Sequence, residues 1–283
     1  MIDDFLSGTS GQVVGVRATT RALLTDAIAD GVAVARAQPW RLRRAARHWP
    51  ARRVLALGVE RVGEPNLLAG ARAELLRSQH SVRFDSMPAG DSGKFQNLNA
   101  LLARNAAAEH DWLLVIDDDV ALPRGFLDAF LFLIERFGLR LAQPAHRARS
   151  HAAWALTRRR PRSVLRQTAY VEIGPIVAFH RSTFATLLPF PELRAGWGLD
   201  AHWAALAQEH GWPIGIVDAT AIRHGLRQIA SSYSREDAIL EGRSFLAGKP
   251  YVTAAQSQRT LAVYRTWRGA PSLGAGSRDD RDR

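Results

Sequence analysis

Three consecutive carboxylates follow a short apolar run near the middle of this 283-residue chain. Residues 112–116 have the length and the β-branched side chains of a strand buried on both faces, and Asp117, Asp118 and Asp119 come directly after them. Ligands of open α/β sheets bind at the carboxyl ends of strands. Adjacent like charges repel unless a cation lies among them, and oxygen ligands suit Mg²⁺ or Mn²⁺. The pattern predicts either a metal site or an ordinary acidic turn.

A second group of polar residues stands at the start of a predicted helix, residues 94–109. Residues 93–99 have the sequence Gly-Lys-Phe-Gln-Asn-Leu-Asn. The free N–H groups of a helix N-terminus attract anions, and Lys94 and Asn99 add a positive charge and an amide donor. The segment predicts either an anion-binding helix start or an ordinary capped one.

A glycine-rich turn further along the chain combines an aromatic ring with a carboxylate. Residues 196–200 have the sequence Gly-Trp-Gly-Leu-Asp. Glycines let the backbone approach a ligand closely, and Trp197 suits either the C–H face of a sugar or the core. We expect Asp200 to cap the next helix, to act as a general base, or both. His224 is by itself an ordinary histidine and gains interest only from the acids at 117–119.

In their order and spacing, these segments resemble the GT-A glycosyltransferases, especially glycosyltransferase family 2. Residues 117–119 look like that family's Asp-x-Asp motif, and residues 93–99 are similar to its Gly-Lys-x-x-x-Leu-Asn helix start. Residues 196–200 resemble the Gly-Trp-Gly-x-acid segment of galactosyltransferase-like members. The resemblance covers residues 54–225. It implies metal-dependent transfer of a sugar from a nucleotide-sugar donor, of UDP or GDP type, to an unknown acceptor hydroxyl, with inversion at the anomeric carbon.

The resemblance also implies roles for particular residues. Mn²⁺ or Mg²⁺ would be held by Asp117, Asp119 and His224, and Asp200 would be the catalytic base. Contacts to the donor would come from Asp85, Lys94, Asn99, Asp118 and Arg227. Contacts to the acceptor would come from Trp154, Glu172, Gly174 and Trp197.

Two other functions fit the same residues. A nucleotidyltransferase also has acidic metal ligands on an α/β sheet, although residues 58–63 match its expected glycine-rich signature poorly. A non-catalytic module that binds nucleic acid or a membrane surface would use the net charge of +11. All but two of the 38 cationic residues are arginines, and they are scattered, so we expect no specific nucleic acid. We do expect the arginine-rich N-terminus to be able to contact an acidic membrane surface.

Alternating strand and helix patterns between residues 54 and 143 predict the architecture that positions these groups. The predicted fold class is α/β, a GT-A (Rossmann-like) mixed, mainly parallel sheet with helices on both faces. The predicted domains are an arginine-rich helical extension (1–50), a GT-A domain (51–268) and a disordered tail (269–283). Residues 145–166 show little periodicity and are predicted to form a mobile loop or insertion near the site.

Composition excludes several classes of protein and of functional site. The chain has no cysteine, which excludes disulfides, zinc–thiolate sites and cysteine nucleophiles and makes an oxidising compartment unnecessary. No apolar run reaches the ~18 residues of a membrane span, and the first residues lack the cationic start of a signal peptide. The expected location is the cytoplasm, with peripheral contact at the inner face of the membrane as an option.

Overall fold

One mixed β-sheet forms the framework of the computed structural model, which describes residues 4–9, 11–226 and 234–268. Its strands are β1 (Arg53–Glu60), β2 (Ser81–Pro88), β3 (Trp112–Asp117), β4 (Val120–Ala121), β5 (Leu141–His146), β6 (Leu165–Thr168), β7 (Ile176–His180), β8 (Ile214–His224) and β9 (Thr260–Tyr264). The helices are α1 (Val16–Ala35), α2 (Gln38–Ala46), α3 (Leu68–Leu75), α4 (Lys94–Ala103), α5 (Phe126–Arg136), α6 (Phe184–Leu187), α7 (Leu199–Glu209), α8 (Arg235–Leu246) and α9 (Ala254–Ser257).

The strand order places β3, with its acidic end, inside the sheet rather than at an edge. Within the described residues the order is β2-β1-β3-β7-β5-β8-β6-β9, and β4 pairs with β8 off this path. β1 is parallel to both β2 and β3, and β5 is parallel to β8. The pairs made by β4, β6 and β7 are antiparallel. This mixed α/β architecture confirms the predicted fold class.

Side chains of β1 alternate between two hydrophobic cores, one on each face of the sheet. Leu55 and Leu57 pack with residues of α4, α7 and α8, whereas Val54 and Ala56 pack with residues of α2, α3 and α5. All four are fully buried. Because helices cover both faces of these strands, a ligand can reach them at their carboxyl ends.

Three elements differ in length from the sequence prediction. β2 continues to Pro88, so Asp85 lies inside the strand rather than after it. The sequence pattern predicts a strand over residues 214–217 with His224 after it, but β8 continues to His224. α4 ends at Ala103, well short of the predicted end. Strands extend further than expected because pairing with neighbouring strands stabilises extended backbone that the local sequence does not specify.

The segment 145–166 is packed into the fold, in contrast to the predicted loop. Arg166 is 1% exposed, and its guanidinium donates to both carboxylate oxygens of Asp218 at 2.8 and 2.9 Å. It also donates to the carbonyl oxygens of Leu156 and Arg158 at 2.6 and 2.9 Å. The segment lacks periodicity because these polar contacts hold it in place, rather than one amphipathic face.

The two helices α1 and α2 precede the sheet, in the region predicted as a helical extension. The Asp26 carboxylate on α1 is buried and accepts hydrogen bonds from the N–H groups of Ala148 and Arg149 at 2.8 and 3.1 Å. The helix therefore rests on the segment that follows β5. The predicted tail, residues 269–283, lies outside the described residues. No described helix is both long and apolar enough to cross a bilayer.

Candidate functional site

The three consecutive carboxylates at the end of β3 each meet a different partner. The partner is a lysine for Asp117, a backbone N–H group for Asp118 and a histidine for Asp119. Each carboxylate therefore has its own protein partner, although the charge of Asp117 also acts on the His224 imidazole. Protein groups offset the mutual repulsion that the sequence pattern pointed to.

Asp117 forms an ion pair with Lys94, the first residue of α4. The lysine Nζ lies 2.6 Å from the Asp117 Oδ1 and also donates to the carbonyl oxygen of Ile173 at 3.1 Å. The two charged side chains are 23% and 28% exposed. Gly174 lies against this pair, since a Cβ there would be 2.9 Å from the carboxylate and 3.0 Å from Nζ. The structure thus brings together a predicted metal ligand, a predicted donor contact and a predicted acceptor contact.

Asp119 and His224 are brought together by strand pairing. Val120 lies opposite His224 in the antiparallel pair of β4 and β8, so the preceding carboxylate reaches the imidazole. Nε2 of His224 is 3.2 Å from Oδ1 of Asp119, and its Nδ1 is 3.2 Å from the carbonyl oxygen of His151. A carbonyl oxygen can only accept, which puts a proton on Nδ1. In the neutral ring, a lone pair on Nε2 then faces a carboxylate oxygen.

Two facing lone pairs require either a proton or a cation between them. Burial disfavours the charged imidazole, but the contact with Asp119, the charge of Asp117 and the hydrogen bond to His151 together raise the pKa of His224. The protonated ring is therefore one way to satisfy the pair. A divalent cation is the other, because metal ions replace protons on such ligands.

The donor set fits a metal ion only in part. Within the described ranges, no three His, Asp or Glu side chains lie close enough together to hold a metal ion by themselves. Asp117, the third predicted ligand, is paired with Lys94. Asp119 and His224 fit a cation whose remaining ligands are phosphate oxygens and water, which is a common arrangement for Mg²⁺.

Asp118 and Asp85, both predicted to contact a donor, are engaged by the protein itself. Asp118 is 5% exposed, and its Oδ2 accepts the N–H group of Arg61 at 2.9 Å. Asp85 accepts two hydrogen bonds from Arg104, at 2.8 and 2.9 Å, and this contact lowers the pKa of Asp85. Asp118 fixes the loop after β1, while Asp85 ties β2 to the end of α4. The structure gives neither of them the predicted role.

Asn99 faces a different part of the molecule, which corrects its predicted role. Its amide donates to the carbonyl oxygen of Phe190 at 2.8 Å and to Glu192 at 2.7 Å. It borders an open cleft of about 620 Å³ that Phe184 also lines. Five residues along a helix turn the side chain by roughly 140°, so Asn99 and Lys94 cannot point the same way. Arg227, also predicted to contact a donor, lies outside the described residues.

Asp200 lies in the first turn of α7 and is 8% exposed. Gly198 holds the N-cap position, so the capping role considered for Asp200 is wrong. The carboxylate accepts hydrogen bonds from the Tyr170 hydroxyl, from the N–H group of Ala201 at 2.9 Å, and from the N–H group of Ile173. Burial raises the pKa of Asp200 to about 6 despite these donors. A carboxylate that titrates near neutrality is suited to general-base chemistry.

Ile173 touches both halves of the site. Its carbonyl oxygen accepts a hydrogen bond from Lys94, and its N–H group donates to Asp200. Ile173 therefore connects the ion pair at the end of β3 to the buried carboxylate of α7 through its own backbone groups. Sequence reasoning missed Ile173 because backbone contacts leave no signal in residue type. It also missed Tyr170, which is fully buried.

Glu172 is buried and is held by three protein donors. Its carboxylate accepts hydrogen bonds from Nε2 of His146 at 3.0 Å, from the N–H group of Trp154 at 3.1 Å and from one threonine hydroxyl at 3.0 Å. The His146 ring is centred 6.0 Å from the ring of His224. Three donors hold the buried Glu172 carboxylate, and its predicted contact with an acceptor stays a prediction.

The two tryptophans predicted to face the acceptor have different environments. Trp154 is 6% exposed, and its ring is centred 4.6 Å from the ring of Tyr170, so it belongs to the core. Trp197 is partly exposed, and the guanidinium of Arg235 lies 5.4 Å from its ring centroid. Trp197 is the less buried of the two, and its ring is already in contact with a cation.

No protein-family model matches the chain, and no curated protein does. Solved structures do match. S. aureus TarS 1–349 in complex with UDP-GlcNAc has 11% identity over 69% of this chain and 66% of its own, with a TM-score of 0.44. The catalytic domain of Drosophila beta1,4galactosyltransferase 7 with xylobiose has 11% identity over 66% of this chain and 79% of its own, with a TM-score of 0.40.

A third matched structure, GalNAc-T7 with UDP, GalNAc and Mn²⁺, has 9% identity over 62% of this chain and 44% of its own, with a TM-score of 0.41. Similarity at this level does not carry an argument about function. The activity of this chain therefore has to be inferred from its own site.

Proposed function

We propose that the chain is a glycosyltransferase that moves a sugar from a nucleotide-sugar donor, of UDP or GDP type, to a hydroxyl group of an acceptor. The junction at Ile173 carries this proposal, because it joins a buried carboxylate of raised pKa to a lysine–carboxylate pair at the end of β3. Sugar transfer needs both groups. The incoming hydroxyl must lose a proton, and the leaving diphosphate gains negative charge.

The positive charge for the diphosphate comes from two places. Lys94 is the first residue of α4, and Asp117 holds its ammonium in position. Mn²⁺ or Mg²⁺, when bound between Asp119 and His224, would supply further charge at the diphosphate oxygens. Preorganised charge of this kind is often the largest catalytic contribution.

Asp200 acts as the base in this proposal. It takes the proton of the acceptor hydroxyl while the hydroxyl oxygen forms a bond to the anomeric carbon. The bond from that carbon to the diphosphate oxygen breaks, and the diphosphate leaves with the electron pair. A carboxylate has about four lone pairs, and three donors use them here, which leaves one for the hydroxyl. Direct displacement assisted by one base inverts the anomeric centre.

We assign the acceptor to the surface around the turn formed by residues 196–198, directly before α7. Trp197 stands three residues before Asp200 and presents part of its ring to solvent. Such a ring suits the C–H face of a sugar, so a glycosylated acceptor fits this position. Gly174 lies directly against the Lys94–Asp117 pair, and we assign the donor diphosphate to this pair.

Product analysis with a panel of nucleotide-sugars and Mn²⁺ tests the proposal. We expect one donor to release its nucleoside diphosphate, and we expect Asp200→Asn to lose this release. Glu209→Gln, an exposed change on the same helix, should keep it. Pyrophosphate release would overturn the proposal in favour of a nucleotidyltransferase. Salt-sensitive binding of random DNA without nucleotide affinity would overturn it in favour of a binding module.

A further inference from the structure

Helix α1 exposes its larger apolar side chains and buries its smaller ones. The buried residues are Ala22, Asp26, Ala29 and Ala33. The exposed residues are Val16 (83%), Leu23 (44%), Leu24 (62%), Ile28 (60%) and Val34 (51%), and these five are called the apolar face of α1. A helix that serves only to pack on its own fold turns its large apolar residues inward. The apolar face of α1 is therefore suited to bind something other than the protein's own fold.

Arginines accompany the apolar face of α1. Arg17 and Arg21 are exposed and share one stripe of the helix with Leu24 and Ile28, at spacings of i, i+4, i+7 and i+11. The neighbouring helix α2 adds exposed residues of the same two kinds, namely Trp40, Arg41, Arg43 and Arg44. Aliphatic, tryptophan and arginine side chains thus occupy one continuous stretch of sequence.

Acidic residues do not balance this charge. Asp26 and Asp30 are the acids between residues 11 and 52 of the sequence. Asp26 is buried, and Asp30 pairs with Arg147 and Arg159. The outward surface of α1 and α2 is therefore apolar and basic.

We propose that α1 and α2 dock on the surface of an anionic lipid bilayer, with α1 lying along it. Twenty residues of helix extend roughly 30 Å, so the apolar face can enter the boundary between headgroups and acyl chains over its whole length. Aliphatic side chains bind there by burial, and arginines bind the lipid phosphates. The interaction is peripheral, because α1 does not have the composition of a spanning helix.

Charge favours the bilayer over other occupants. A second copy of the chain would bring the arginines of two identical surfaces together. Asp30, the acid of residues 11–52 that is not buried, already pairs with Arg147 and Arg159. A nucleic acid would use the arginines but would leave five aliphatic side chains without a partner. A surface with anionic headgroups above an apolar layer uses both kinds of side chain.

Cosedimentation of the full chain with vesicles tests this proposal, and its outcome does not depend on activity. We expect binding to vesicles of phosphatidylcholine with phosphatidylglycerol, weaker binding to phosphatidylcholine alone, and weaker binding at high salt. Arg17→Gln with Arg21→Gln should lower the affinity by about fivefold for each arginine. Arg83→Gln with Arg265→Gln, exposed changes elsewhere, should leave it unchanged.

The apolar contribution has its own matched pair of variants. Leu24→Asp with Ile28→Asp should lower vesicle affinity more than about tenfold. Leu76→Asp with Leu240→Asp changes residues of similar exposure, 50% and 58%, and should have little effect. The chain has no cysteine, so Leu24→Cys or Leu240→Cys can carry a polarity-sensitive dye. We expect the dye at residue 24 alone to report a less polar environment when vesicles are added, and this readout is independent of the double variants.

Three results would overturn the proposal. Equal binding of the two aspartate double variants would exclude the apolar face of α1 as the contact. An unchanged dye signal at residue 24 on bound vesicles would do the same. A dimer in sedimentation velocity that Leu24→Asp with Ile28→Asp converts to a monomer would show that a second copy covers the face.

Discussion

Two clusters of buried charge lie in different parts of the sheet, and they are built from different chemistry. Between β6 and β8, Arg166 and Asp218 are each 1% exposed and make two parallel hydrogen bonds. Around the end of β3, the carboxylates of Asp117, Asp119 and Asp200 face a lysine, a histidine and a tyrosine. The first cluster uses a guanidinium that stays charged, whereas the second contains a carboxylate, Asp200, and an imidazole, His224, whose pKa values are both raised.

The difference separates a structural pair from a reactive site. Arg166 also donates hydrogen bonds to two backbone carbonyl oxygens, so its buried guanidinium is bound by protein groups rather than by a ligand. Asp200 has a pKa of about 6, and the Lys94–Asp117 pair is partly exposed. Shifted pKa values beside an opening are typical of functional sites. Burial of charge alone would not have distinguished the two clusters.

The largest effect is expected at Asp200. Asp200→Asn keeps the shape of the side chain and removes its ability to accept a proton, so turnover should fall by about 10²–10⁴-fold. The affinity for the donor should stay within about twofold, because the donor binds at the Lys94 side of Ile173. Steady-state kinetics with the donor that the panel identifies, together with titration of its nucleoside diphosphate, measures both. Near-normal turnover would remove Asp200 from the role of base.

The next effect concerns stability and falls on the other cluster. Arg166→Met leaves the Asp218 carboxylate buried without its partner, which should lower the free energy of unfolding by about 3–5 kcal/mol. Arg104→Met removes the exposed partner of Asp85 and should leave the unfolding midpoint nearly unchanged. Chemical denaturation of both variants measures the contrast. Equal midpoints would show that the Arg166–Asp218 pair does not hold the segment 145–166 in place.

A smaller effect is expected in the pH dependence of transfer. The base must be ionised, so kcat/KM should rise with pH up to about 6 and level off above it. The Tyr170 hydroxyl stabilises the ionised Asp200, so Tyr170→Phe should move this rise to higher pH. A pH–rate profile of both proteins tests the claim. An unshifted profile would mean that the Tyr170 hydroxyl does not set the pKa of the base.

Sequence reasoning succeeded where the chemistry coincides with the end of an element. Asp117 ends β3 and Asp119 follows two residues later, while Lys94 and Asp200 lie in the first turns of α4 and α7. The topology of an α/β sheet brings such positions together. His224 was expected after a strand and instead ends β8, where pairing with β4 places it against Asp119. Element order was enough to bring these residues into one region, and their roles in binding and catalysis stay predictions.

Sequence reasoning failed where the direction of a side chain, or another protein group that binds it, decides which contacts the side chain makes. Asp85 is bound by Arg104 because β2 runs longer than its local pattern indicates. Asn99 points away from Lys94 because of the helical turn between them, and Glu172 is occupied by donors from residues 146–157. These contacts join residues distant in sequence, and residue types alone do not reveal them.

The most direct test of the account is calorimetric titration of UDP and GDP into the chain with Mn²⁺ and with a chelator. We predict that one nucleotide binds in a Mn²⁺-dependent manner and that Asp119→Asn weakens this binding more than about tenfold. Asp111→Asn, at the opposite end of β3, should leave it intact. Binding that the chelator does not change, or that Asp119→Asn leaves at full strength, would contradict a donor site built on Asp119 and His224.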